Sequence, residues 1–121
     1  MEATKETTSL ISTSKVKGTD VYNTEGDHIG LIEDVMLDKR SGKIAYAVLA
    51  IGSIFGLGGV QHPLPWQTLK YDTRQGGYVT GATIDQMRDA PAWASEDGED
   101  RMAGEERLHR HFGVPGYWAA A

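Results

Sequence analysis

The chain has 121 residues, 40% of them hydrophobic and 24% charged, a length suited to one domain and a composition too apolar for wholesale disorder. Its net charge of −5 opposes nucleic-acid binding of the kind in which Lys and Arg neutralise phosphates. Without a single cysteine it can build no disulfide, thiolate nucleophile or Cys-ligated metal centre.

Residues 1–14 read as a disordered polar arm rich in Ser and Thr, with Leu10 and Ile11 as its sizeable apolar residues. The arm lacks the apolar stretch of a secretory signal, so a cytoplasmic location is expected. A first strand is predicted over 15–23, with Val16, Val21 and Tyr22 as β-formers and Gly18 allowing a bend or bulge. Thr24-Glu25-Gly26-Asp27 is a hairpin turn. The second strand, 28–38, has Ile29, Leu31, Val35 and Leu37 on one alternation set, but Glu33 falls among them while Ile32 and Met36 fall opposite. A bulge near Gly30–Asp34 is needed to repair that register.

Lys39-Arg40-Ser41-Gly42 turns the chain into a third strand, 43–52, which is apolar on both alternation sets and so requires cover on both sides. Ile44 to Val60 carries no charge and approaches the ~17–25 residues of a spanning helix. Four glycines, Gly52, Gly56, Gly58 and Gly59, break it into a strand and a glycine loop, so no membrane span is expected. His62-Pro63-Leu64-Pro65-Trp66 belongs at a sheet edge, because two close prolines remove ladder donors. Pairing resumes over 67–71, a turn at 73–77 follows, and a short strand covers 78–80. Thr83 is placed to cap a short helical stretch that Pro91 ends.

The last segment, 92–121, divides from the barrel at 15–91. Ser95 can cap a helix with acidic residues in its first turns and Arg107 and Arg110 in its last, ended by Gly113 and Pro115. Its apolar stripe is narrow, Leu108 with Phe112, and Gly104 weakens it, so it needs a surface. Tyr117 and Trp118 would forgo ~2 kcal/mol or more each if left exposed, and are expected to dock.

The run Gly26-Asp27-His28-Ile29-Gly30-Leu31-Ile32-Glu33-Asp34-Val35-Met36-Leu37-Asp38, then Ser41-Gly42-Lys43-Ile44-Ala45-Tyr46, the glycine loop and Leu64-Pro65-Trp66, resembles the PRC-barrel family in order and spacing. The family includes the cytoplasmic domain of the photosynthetic reaction-centre H subunit and a ribosome maturation factor. The aromatic ending His111–Trp118 is similar to that of small stand-alone bacterial members. The resemblance implies a mainly β fold: a small, strongly bent barrel used for binding or assembly, self-associating when it stands alone, with no shared catalytic site and no cofactor.

Each chemical reading of the residues has a plainer rival. Glu33, Asp34 and Asp38, with His62, are the candidate metal ligands, since clustered carboxylates bind hard cations; the plainer reading has Asp34 satisfying local backbone donors and the others solvated. His109 and His111 at i, i+2 point to different helix faces and cannot share one ion. Gly56-Leu57-Gly58-Gly59 lacks the Lys-Ser/Thr ending of a phosphate loop, and no GxSxG elbow is present. The expectation is therefore a non-enzymatic binding module, a homodimer that engages a protein partner. Tyr46, Phe55, Leu57, Trp66, Phe112, Tyr117 and Trp118 are its candidate interface residues. Its alternatives are a ligand- or metal-sensing barrel and an accessory factor in ribosome or RNA maturation.

Overall fold

A computed structural model describes residues 3–52, 61–90 and 98–119. Its centre is one strongly curled six-stranded sheet of half-barrel form. The strands are β1 (Asp20–Tyr22), β2 (His28–Leu37), β3 (Ile44–Ile51), β4 (Gln61–Pro65), β5 (Leu69–Asp72) and β6 (Gly77–Thr80), in the order β4-β3-β2-β1-β6-β5. All neighbours are antiparallel except β1 and β6, which run parallel with Val21 beside Tyr78.

The curl follows from connectivity. β4 and β5 form the two edges of the sheet, yet only a 3₁₀ turn, Trp66–Thr68, separates them in the chain. Three intervening residues reach about 14 Å at full extension. The outer strands of a flat six-stranded sheet stand about 24 Å apart. The sheet has to bend until its edges approach at that corner. The two prolines of β4 sit, as expected, on an edge strand.

The expected bulge in β2 is present. Ile32 pairs with Leu49 and Asp34 with Val48, which leaves Glu33 as the extra residue, and a second irregularity falls between Met36 and Leu37. Ile29 is the extra residue where β2 passes β1, between the Val21–Gly30 and Tyr22–His28 pairs, so it is buried along with Ile32, and past Ile32 the shift against β3 leaves Glu33 and Asp34 exposed. Along β3 the alternation is regular: Ala45, Ala47, Leu49 and Ile51 are buried, and Ile44, Tyr46, Val48 and Ala50 are half-buried. Of the inner set, Ala47, Leu49 and Ile51 join Val21, Ile29, Ile32, Leu64, Leu69 and Tyr78 in one cluster. Each fully buried aliphatic side chain there contributes about 1.5–3 kcal/mol.

The single strand expected over 15–23 is corrected. Lys15 and Val16 donate their N–H groups to the Ser12 carbonyl, making a one-turn helix α1 (Thr13–Val16) that buries Val16. Gly18, at φ 85°, turns the chain out of it, and sheet pairing begins where Ile32 N–H meets the Thr19 carbonyl. A β-branched residue in the right place was no guide here, because Val16 packs into the core from a helix as readily as from a strand.

Two further helices flank the barrel. Thr83 caps α2 (Ile84–Arg88) with a full capping box: its hydroxyl accepts from Gln86 N–H at 3.1 Å, and the Gln86 side chain accepts from Thr83 N–H at 2.8 Å. α3 (Gly98–His111) delivers Leu108 into the core cluster, and Phe112 joins it from just past the helix. It ends in a Schellman motif, with Gly113 at φ 70° donating to the Arg110 carbonyl and Val114 donating to the His109 carbonyl. The Ser95 cap, the stop at Pro91 and the glycine loop 53–60 lie outside the described residues. Among the described residues no helix is long and apolar enough to cross a membrane.

Candidate interaction surface

Because one side of β3 fills the barrel, the other side turns outward with its neighbours on β2 and β4. Ladder pairing places Tyr46 beside Met36, Ile44 beside Leu37, and Val48 beside both Asp34 and Pro63. Met36 is 45% exposed and Leu37 50%, a large apolar exposure for adjacent residues of a sheet. The charges around this patch are sorted. Exposed Lys39, Arg40 and Lys43 occupy the β2–β3 turn at one end, and exposed Glu33 and Asp34 the bulge at the other. The Asp38 carboxylate, which accepts from Ser41 N–H at 2.8 Å, fixes that basic turn.

The five candidate interface residues that lie among the described residues do not gather on one surface. Tyr46 lies in the outward patch and is half-buried. Trp66 leans on the core, its ring edge-to-face with Tyr78 at 5.3 Å between centroids. Phe112 and Tyr117 are buried within their own chain, so they offer a partner little surface in this arrangement. Trp118 is 40% exposed. Phe55 and Leu57 lie outside the described residues.

The tail reaches its place through a polar pair that the sequence reading missed. Glu105 and His109 are each 2% exposed. The Tyr117 hydroxyl donates to both Glu105 carboxylate oxygens in a long, shared bond at 3.3 and 3.4 Å. His109 Nδ1 donates to the Glu105 carbonyl at 2.7 Å, and its ring meets those of Tyr117 and Trp118 edge-on. The signal was present in spacing, for Glu105, Leu108, His109 and Phe112 recur at i, i+3, i+4 and i+7. An apolar-only stripe passes over it because half of its members are polar.

The metal candidates are dispersed into local roles. Glu33 accepts from the Gln61 side chain at 3.0 Å, bridging β2 to β4 across β3. Asp34 accepts from Val35 N–H, and Asp38 serves the turn. His62 pairs with Leu49 on the β3–β4 ladder. Among the described residues no group of three or more His, Asp or Glu side chains is placed to hold a metal ion. His109 and His111 do diverge: His109 faces Glu105, while His111 Nε2 donates to the Gln86 carbonyl of α2 at 2.7 Å.

Comparison with known families places this geometry. The PRC-barrel domain matches residues 9–87, well over half of the chain, and the protein belongs to that family. No curated protein matches it significantly. A PRC-barrel domain is, in general terms, a binding and assembly module that mediates protein interactions.

Proposed function

We propose that this PRC-barrel protein is a non-catalytic, cytoplasmic assembly module that forms a homodimer through the outward side of β2, β3 and β4 and engages a protein partner in that state. The observation that carries the reading is the layout of the patch: apolar Met36, Leu37 and Tyr46 in the middle, cations at one end and carboxylates at the other. Two-fold rotation about the centre of such a patch brings the basic end of one copy onto the acidic end of the other, the self-complementarity that an isologous interface requires. The net charge of −5 favours a protein over a nucleic acid as the further partner. Light scattering on the eluting protein tests it. A dimer that becomes a monomer in Met36→Lys/Leu37→Glu, with thermal unfolding otherwise unchanged, and that loosens as salt is raised, supports the reading. A native chain that stays monomeric at high concentration defeats it. Affinity capture with native and double-variant protein then tests whether partner recovery depends on the dimer.

A further inference from the structure

On the side of the barrel formed by β5 and β6, Tyr71 and Tyr78 face each other across the ladder, their ring centroids 5.3 Å apart and their planes at 73°. The two rings meet edge-to-face and form a corner of the cleft that both of them line. The chain closes the corner from the N-terminal side. Thr7 organises that closure: its hydroxyl accepts from Leu10 N–H at 2.9 Å and from Ser9 N–H at 3.2 Å, and its own N–H donates to the Leu10 carbonyl. Ile11 then anchors the segment on the core. The result is a cleft of about 270 Å³ whose walls include Glu6, Thr7, Leu10, Tyr71, Thr73 and Tyr78.

The chemistry of the walls is one-sided. Among the described residues they hold one carboxylate, two phenol rings, several hydroxyls and aliphatic groups from Leu10 and Ile11, and no Lys, Arg or His. Aromatic faces carry negative quadrupole density and attract cations, above all weakly hydrated ones whose methyl groups also gain from apolar contact. Burial raises the Tyr78 phenol above its ordinary value of 10.0, and Tyr71 and the Glu6 carboxylate press in the same direction. The site thus resists acquiring more negative charge. The family match begins at residue 9, so Glu6 and Thr7 lie outside the matched barrel.

We propose that the cleft between the N-terminal segment and the β5–β6 hairpin binds a small organic cation of the quaternary-ammonium type, with Tyr71 and Tyr78 against its methyl groups and Glu6 as its counter-charge. This site is separate from the dimer patch and does not depend on it.

Choline chloride is the probe, titrated into the full chain while the tyrosine ring resonances are followed by NMR, with 3,3-dimethylbutan-1-ol as its neutral isostere and sodium chloride at matched ionic strength. Saturable shifts of Tyr71 and Tyr78 with choline are expected, with the isostere about tenfold weaker. Tyr71→Ala should weaken choline about tenfold and Tyr71→Phe leave it nearly intact. Glu6→Gln should weaken it about threefold, as an exposed counter-charge does. Tyr71 is 45% exposed, so its replacement leaves the fold standing. Equal binding of the neutral isostere would make the cleft a simple apolar slot, and equal shifts with sodium chloride, or no saturation with choline, would overturn the proposal.

Discussion

The barrel interior and the seat of the C-terminal tail are both closed to water, and they are held shut differently. Inside the barrel, Ile29, Ile32, Leu49 and Leu64 meet without a polar atom among their side chains. At the seat, Glu105, His109 and Tyr117 exclude water through directional bonds, with Trp118 half over the top. Apolar burial is additive and forgiving of small shifts, whereas a buried polar cluster depends on every member being present. The barrel is therefore the part that determines whether the chain folds, and the seat is the part that determines where its last turns lie.

The largest effect should come from the interior. Leu49→Ala removes a fully buried side chain from the centre of β3 and should cost about 3 kcal/mol, lowering the urea midpoint for every probe together. If exchange rose in α3 alone while the barrel strands kept their protection, the placement of the folding core in the barrel would be disproved. A smaller and local effect is expected at the seat. Tyr117→Phe deletes the hydroxyl that serves the buried Glu105 carboxylate and should cost about 1–3 kcal/mol, raising exchange across 105–118 while the barrel strands keep their protection. Uniform loss through the barrel would erase the distinction between the two regions. The smallest effect, a pH dependence seen only in alkaline solution, belongs to Tyr78. Its folded-state value lies above 10.0, so the proton is held longer in the folded chain than in the unfolded one. Below 10.0 its contribution to stability is complete, and it is lost as pH rises through the folded value. Tyr78→Phe should flatten that alkaline decline, and a decline of unchanged steepness in the variant would assign it elsewhere.

Much of the barrel was legible in the sequence because its signals are local. The β2 bulge announced itself through Glu33 on the wrong alternation set, the β4 edge through Pro63 and Pro65, and α2 through Thr83. The PRC-barrel resemblance rested on 26–46, the glycine loop and 64–66, which the family match covers, and on the aromatic ending 111–118, which lies beyond it. What escaped was long-range. Nothing near Val21 indicates a parallel partner at Tyr78, and nothing near Lys15 distinguishes a strand from the helical turn that Ser12 accepts. Site residues were legible by type rather than by place. Aromatics marked both the patch and the tail, but Tyr117 turned inward because Glu105, a residue that composition assigns to solvent, waits for it. Tyr71 and Tyr78 looked like ordinary strand residues, and the corner between them exists only once the hairpin has paired.

The parallel ladder between β1 and β6 also bears on the order of assembly. β2, β3 and β4 are successive antiparallel neighbours and β5 meets β6 across a short turn, so both pieces form through nearby contacts. Val21 and Tyr78 stand at nearly opposite ends of the barrel's sequence, and joining them closes the longest loop in the sheet. Loop-closure entropy makes such a pairing late and slow relative to the hairpins. Until it forms, the nascent chain carries two sheet fragments with unpaired edges at β1 and β6, and a second chain in the same condition could supply the missing strand.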